Sequence, residues 1–335
     1  MIRAQVWRGG SDFTVGELLV PEPGDGEVLV QLEVATVCGS DRHTVSGHRP
    51  GACPSILGHE GVGVVAASSR RGIDPGRRVV FSVTSVCHEC VMCRRGMSAK
   101  CERVRKVGHE SFDGPWPLSG TYASHILLPA GVEIVEVPAG LDPERASTAG
   151  CAVATVMAMV EAAGDLRERT VLVNGLGMLG LTAVAAAQAG GAKRVVACDP
   201  VSGARQAVHG LADEVVETAT GEVVDVSFEL SGSSAGALAC IDALAVGGTA
   251  VLAGTVAPVP AVGIDPEWVV RGWRTITGVH NYEPRHLGQA VEFLTVRGDH
   301  LPWEHLLGQR YRLGELSRAF ADGGRGARAV IDLRS

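Results

Sequence analysis

Four cysteines stand as C-x2-C-x2-C-x7-C at Cys87, Cys90, Cys93 and Cys101. Such short spacings, in a loop that also holds Gly96, let four thiolates converge on one tetrahedral ion and leave no position for a substrate. The chemistry expected of the loop is therefore a structural zinc. An iron–sulfur cluster is the competing reading, which a colourless protein would exclude, and incidental surface thiols are the plainer one.

A second group has a different character. Cys38 lies in Cys38-Gly39-Ser40-Asp41-Arg42-His43, and His59 lies in Gly58-His59-Glu60. One Cys, one His and a further Cys make a three-donor set that leaves a coordination position open to a substrate oxygen. The third donor has to come from elsewhere in the chain. Cys151, after Ser147-Thr148-Ala149-Gly150, reads as lying near the start of a helix, where the dipole favours a thiolate. Taken singly, Cys38 and Cys151 also read as buried small hydrophobes, and His59 as a satisfied core histidine.

The third chemical signal is Val171-Leu172-Val173-Asn174-Gly175-Leu176-Gly177-Met178-Leu179-Gly180, a strand that runs into G-x-G-x-x-G and then into an Ala-rich helix. Gly175 suits a tight turn, Gly177 lets the backbone approach a pyrophosphate at the helix start, and Gly180 lets helix and strand pack closely. A second strand ends at Asp199, about twenty residues on, as a dinucleotide fingerprint requires. A carboxylate there accepts from the adenosine ribose hydroxyls and repels a 2′-phosphate, so NAD is expected over NADP. Arg205 is the residue that would favour NADP instead.

These residues need two kinds of scaffold. Over residues 4–137 the pattern is of short β-rich runs between Pro and Gly turns, interrupted by the Cys loop. Asp142-Pro143-Glu144 has the form of a helix start, with Asp as cap and Pro in the first turn. Strands then alternate with Ala-rich helical stretches over residues 170–255, which argues for a parallel sheet with helical crossovers. The terminal run Ala329-Val330-Ile331-Asp332-Leu333 reads as a strand that returns to the first domain. With 335 residues, 46% hydrophobic and 20% charged, the chain is long enough for two ordinary cores. A formal net charge of -7 gives no electrostatic footprint for nucleic acid. No apolar run reaches the length of a membrane span, and the first residues read as a strand rather than a leader. A cytoplasmic location is expected, and in that compartment nine cysteines read as ligands or buried thiols before disulfides.

Together the motifs resemble the zinc-containing medium-chain alcohol dehydrogenases, over nearly the whole chain. The resemblance implies an α/β protein with a GroES-like, β-rich catalytic domain at residues 1–145 and 281–335, and a Rossmann doubly wound domain at residues 146–280. It implies two zinc ions per chain and NAD. Cys38, His59 and Cys151 would hold the catalytic zinc, with Glu60 able to approach it during ligand exchange. Asp41 would accept from the ring N–H of His59. Ser40 and His43 stand at the family's spacings for a proton relay away from the metal. The implied cofactor contacts are Gly175, Gly177, Met178, Leu179, Gly180, Asp199 and Arg205, with Arg328 reaching the pyrophosphate and Arg325 as its rival. A homodimer or homotetramer, joined through the cofactor domains, is the implied assembly.

For the substrate, a small alcohol or aldehyde, the resemblance implies a wall at Ser82, Val83, Thr84 and Ser85, polar enough for a hydroxylated or charged molecule. The same residues would serve equally to cap a turn. Two stretches, residues 43–50 and 276–284, resemble the subgroup associated with phosphonate metabolism, so His48, Arg49 or Arg271 would face an anionic group. A hydroxyalkyl phosphonate is then one expected substrate, a polyol, sugar or cyclitol the alternative, and a non-catalytic zinc- and NAD-binding scaffold the alternative of another class. Cys53, Cys198 and Cys240 have no assigned role.

Overall fold

The computed structural model of the chain describes residues 1–322 and 327–334. It divides into two compact units, Met1–Cys151 with Glu283–Val296 and Leu307–Ser335, and Ala152–Tyr282 with Arg297–Leu306. Relative to the expected boundaries, residues 146–151 stay with the first unit, and residues 281–282 and 297–306 join the second. The first difference has a local cause. Ser147 is fully buried with its hydroxyl 3.4 Å from that of Thr36, and Cys151 faces Cys38.

The first unit opens with the antiparallel pair β1 (Ile2–Gly9) and β2 (Asp12–Leu18), followed by β3 (Val28–Thr36), α1 (Gly39–Val45) and β4 (Ser55–Ile56). Next come β5 (Glu60–Ser68), β6 (Arg78–Ser85), the short helix α2 (Val91–Arg94) and β7 (Arg105–Lys106). β8 (His125–Leu128), β9 (Val132–Glu136) and α3 (Pro143–Ser147) complete this stretch. Strands rich in β-branched residues suit a pleated surface, and Val28, Val30, Val34 and Val62 are buried here at the centre of the larger sheet. β3 and β5 approach so closely that a Cβ at Gly63 would meet the Gln31 carbonyl oxygen at 2.2 Å. Asp142 caps α3, accepting from the N–H groups of Glu144 and Arg145.

In the second unit α4 (Ala154–Ala163) leads to β10 (Thr170–Asn174), α5 (Met178–Ala189), β11 (Arg194–Cys198), α6 (Ser202–Gln206) and β12 (Glu214–Val216). β13 (Val224–Glu229), α7 (Ser234–Asp242), β14 (Leu244–Leu252), α8 (Pro266–Arg271) and β15 (Thr275–Gly278) follow. All six strands are parallel in the order β12-β11-β10-β13-β14-β15, so the order reverses between β10 and β13. That reversal is the switch point where doubly wound sheets bind ligands. Val171, Leu172 and Val173 of β10 are fully buried, as a central parallel strand covered on both faces must be.

The chain ends with α9 (Arg285–Arg297), α10 (Trp303–Leu306), β16 (Leu307–Arg312), α11 (Leu316–Ala321) and β17 (Arg328–Asp332). β17 runs antiparallel to β3, pairing Val330 with Thr36 and Ile331 with Ala35, so the terminal strand closes on the first unit. The molecule is α/β, a β-rich unit and a doubly wound parallel sheet. Among the described residues no helix is long and apolar enough to cross a membrane.

Candidate metal and cofactor sites

The four cysteines of the loop converge. Their sulfurs lie within 4.8 Å of one another, with Cys87 and Cys101 3.4 Å apart, and Cys87–Cys93 and Cys90–Cys101 each 3.9 Å apart. A tetrahedron of zinc–sulfur bonds has edges of about 3.8 Å, so the donor set fits that ion. Backbone N–H groups of Cys90, Cys93 and Cys87 point at Cys87, Cys90 and Cys101 sulfurs at 3.4 Å, which favours thiolates. Such backbone donors, from Glu89 and then Cys90, bring the Cys87 thiol down to about 6. Glu283 pins the turn before Cys101, its carboxylate accepting from the N–H groups of Ser98 and Ala99 at 3.0 Å. No motif pointed to Glu283, because it acts from 182 residues after Cys101.

The open group is assembled from three places. Cys38 immediately precedes α1, His59 and Glu60 stand where β5 begins, and Cys151 lies in a π-helical turn, Ala149–Val153. Cys151 is thus in a widened turn between α3 and α4 rather than at a regular helix start, and π turns recur at functional sites because they re-aim side chains. One donor atom from each of Cys38, His59, Glu60 and Cys151 falls within a 4.8 Å group, the two sulfurs 3.9 Å apart. Gly58 makes the turn before His59, with φ +90° and no room for a Cβ, which would meet Thr121 Oγ1 at 2.3 Å.

Asp41 organises this group. Its Oδ1 lies 3.1 Å from His59 Nδ1, while Oδ2 accepts from the Cys38 N–H at 3.0 Å and from the Tyr122 hydroxyl at 2.8 Å. With Nδ1 facing the carboxylate, the protonated nitrogen is on that side and Nε2 is left for a metal. The Cys38 thiol is held well below its usual range by its hydrogen bond with Cys151, by the charge of Arg328 and by His59, against the effect of burial. Tyr122 is fully buried and carried no spacing signal, since its link to Asp41 spans 81 residues.

Glu60 is also fully buried, and Arg328 is its counter-ion: Nε is 2.6 Å from Oε2 and Nη2 is 2.8 Å from Oε1. Thr36 donates to the same Oε2 at 2.6 Å, and Arg328 Nη2 also lies 3.4 Å from Cys38 Sγ. Arg328, for which a pyrophosphate contact is expected, is the counter-ion of a buried carboxylate here. The side chain is buried in the first unit, where a buried carboxylate demands a paired cation, and its Nε and Nη2 are committed to Glu60 and Cys38. Arg325 lies outside the described residues.

Ser40 Oγ is 3.2 Å from His59 Nε2, at the mouth of the same group. His43 follows on α1 and is exposed, its ring 6.1 Å from that of His48. Of the expected substrate wall, Ser82 is spent internally: its hydroxyl donates to the Thr84 carbonyl at 2.8 Å and accepts from the Glu133 N–H at 3.0 Å. Arg271 is exposed and paired with Glu267 on α8, and exposed His48 meets the Ser46 hydroxyl.

In the second unit the three glycines differ in backbone conformation and in the space around them. Gly175 has φ +99°, Gly180 has no room because a Cβ would stand 1.9 Å from the Gly175 carbonyl oxygen, and Gly177 opens on free space at the start of α5. Met178 and Leu179 form the first turn of that helix. Asp199 is held at the end of β11, Oδ2 accepting from the Leu176 N–H at 2.9 Å and Oδ1 from the Val201 N–H at 2.8 Å. Arg205 turns back on the main chain, donating to the Asp199 carbonyl at 2.7 Å, and its other end lies 3.4 Å from Glu217. Beside these strand ends is a cavity of about 540 Å³, lined by Asn174, Cys198, Pro200, Ser231 and Gly236 among others, room for part of a dinucleotide. Buried Glu229, which no motif singles out, ties together the loops after β13 and β14 by accepting from Ser231, Gly232 and Thr255.

Comparison with known proteins agrees with this geometry. Residues 24–139 match the Alcohol dehydrogenase GroES-like domain and residues 179–295 match the Zinc-binding dehydrogenase family. The chain is 30% identical over 332 residues to 5-exo-hydroxycamphor dehydrogenase of Pseudomonas putida, covering 90% of each protein. It is 30% identical over 255 residues to L-threonine 3-dehydrogenase of Pyrococcus horikoshii, covering 70% of each. The crystal structure of an alcohol dehydrogenase from Thermotoga maritima superposes with a TM-score of 0.91 at 23% identity, over 99% of both chains. Similarity of this extent to the first of these relatives, with both domain patterns matched in order, places the chain in the zinc-containing medium-chain alcohol dehydrogenase family.

Proposed function

We propose that the protein is an NAD-dependent zinc dehydrogenase that oxidises a polar alcohol, or reduces the matching carbonyl. The observation that carries this reading is the three-sided donor group of Cys38, His59 and Cys151, with the Ser40 hydroxyl 3.2 Å from His59 Nε2. When bound, zinc supplies a cation that stabilises negative charge on a substrate oxygen, and the nicotinamide supplies the hydride acceptor. The chain's own residues do the rest. Ser40 Oγ is placed to accept the substrate hydroxyl proton as it releases its own, and the exposed His43, one turn further along α1, is the base that would hand that proton to solvent. Asp41, itself held by Cys38 N–H and Tyr122, fixes the tautomer of His59. Glu60 supplies a fourth donor near the group, a carboxylate oxygen, restrained by Arg328 and Thr36.

NAD is favoured over NADP by the fixed Asp199 carboxylate, and Arg205 is turned toward the Asp199 carbonyl and Glu217, away from a phosphate-accepting role. Two substrate classes suit a polar site, a polyol, sugar or cyclitol and an alcohol bearing an anion such as a hydroxyalkyl phosphonate. A homodimer or homotetramer belongs to the same proposal, as β15 is the last strand of the second sheet and leaves an edge to pair. The test is steady-state turnover by the zinc-loaded protein with NAD or NADP over neutral, polyhydroxylated and phosphonate alcohols. Cofactor binding without turnover of any member would leave a scaffold as the better account.

A further inference from the structure

Two cations, Arg49 and Lys106, lie on segments that border the open metal group, and neither has a counter-ion among the described residues. Gly108 lies against Gly58, where a Cβ on Gly108 would meet the Gly58 carbonyl oxygen at 2.3 Å, so the segment after β7 runs along the turn that presents His59. His109 accordingly sets its ring 5.6 Å from the His59 ring, with Nδ1 2.7 Å from the Val107 carbonyl. Lys106, three residues earlier, pairs with Thr84 of β6. Arg49 is held from the other side, its N–H donating to the His43 carbonyl at 3.0 Å just beyond α1.

The charge interactions agree with that placement. Burial, then Arg49 and then Lys100 bring the Lys106 ammonium below its usual range. Both Arg49 and Lys106 are half-buried. Among the described residues no carboxylate lies within ion-pair distance of either head group; Glu110, the acid beside them in sequence, accepts instead from the Lys106 backbone N–H at 2.8 Å. Desolvated like charges side by side are unfavourable unless an anion completes them.

We propose that Arg49 and Lys106 form an oxyanion subsite next to the Cys38, His59 and Cys151 group, one that binds a phosphonate, phosphate ester or carboxylate carried by the alcohol substrate. Arg49 offers a planar fork and Lys106 a point charge, a pairing suited to a tetrahedral oxyanion. The inference rests on the dehydrogenase reading for the reacting carbon, but the anion site can be tested without turnover.

The experiment uses the zinc-loaded protein with NAD and the variants Arg49→Met and Lys106→Met. Steady-state constants are measured on 2-hydroxyethylphosphonate, 2-hydroxyethyl phosphate, 3-hydroxypropanoate and neutral n-propanol, and the relative KM values also separate the three anions. Each variant is expected to raise KM for the preferred anion about tenfold or more, while kcat and the n-propanol KM move much less. Calorimetric titration of methylphosphonate into the zinc- and NAD-loaded protein supplies the second reading, with affinity falling about tenfold in each variant. Equal KM shifts on neutral and anionic alcohols, or methylphosphonate binding that ignores both substitutions or is absent from the parent protein, overturns the subsite. If methylphosphonate binds through Arg49 and Lys106 yet no alcohol is oxidised, the dehydrogenase reading fails and the subsite stands.

Discussion

The guanidinium of Arg328 lies across the carboxylate of Glu60, Nε 2.6 Å from Oε2 and Nη2 2.8 Å from Oε1, both side chains buried and 268 residues apart in sequence. The pair joins the terminal strand to the strand that carries the metal group, so it ought to matter to stability before chemistry. Removing one member of a buried pair leaves an uncompensated charge and costs about 3–5 kcal/mol. Arg328→Met is expected to lower the midpoint of thermal unfolding by several degrees, and Arg328→Met with Glu60→Gln should recover much of the loss. Calorimetry of the two variants checks this, and a double variant no more stable than the single one would contradict it.

The two donor groups should lose metal independently. Cys90→Ser is expected to leave one zinc per chain in place of about two, with the open site still loaded, because four sulfurs within 4.8 Å form a closed set of their own. Cys151→Ser should remove the other zinc and lower kcat/KM by about a thousandfold or more. Elemental analysis alongside the rate separates the outcomes. Loss of both ions from either variant would show that the sites are coupled.

One substitution at three glycines should give three results. Gly180→Ala puts a Cβ 1.9 Å from the Gly175 carbonyl and is expected to destabilise the fold, and Gly175→Ala strains a residue at φ +99°. Gly177→Ala meets nothing within 4 Å, so the protein should fold normally yet bind NAD about tenfold or more weakly. Unfolding curves and cofactor titration distinguish them. Normal NAD affinity in Gly177→Ala would argue against a pyrophosphate at that position.

The Tyr122 hydroxyl reaches His59 through Asp41, so Tyr122→Phe, which keeps the ring, tests that link. A buried hydrogen bond to a charged group contributes about 1.5–3 kcal/mol, and leaving Asp41 short of one donor should lower kcat/KM about tenfold with zinc content retained. The pH profile of kcat should also move, because the His59 ring loses part of its restraint. An unchanged profile together with lower thermal stability would reduce Tyr122 to a packing role.

Cofactor choice is tested at Asp199. Asp199→Ala removes the charge that would face a 2′-phosphate, and the ratio of kcat/KM for NAD over NADP is expected to fall about tenfold or more. If the parent protein already prefers NADP, Arg205 must leave its carbonyl and Glu217 partners, and Arg205→Ala would then abolish that preference.

Residues that act within one loop were legible from spacing, because the chain between them is too short to carry the donors apart. Cys87, Cys90, Cys93 and Cys101 are such a set, and the glycines around Gly177 are another, each with a geometric task that its neighbours in sequence impose. The alternation of strands and Ala-rich helices likewise announced the parallel sheet, since each crossover is a local unit. Tertiary structure decided the rest. Cys151 reaches Cys38 across 113 residues through a π turn, Tyr122 reaches Asp41 across 81, and Arg328 reaches Glu60 across 268. Burial is the common reason: a charge or hydroxyl removed from water must find its partner among whatever the packed strands bring near it. Arg49 and Lys106 show the same rule from the other side, two half-buried cations with no carboxylate at ion-pair distance among the described residues.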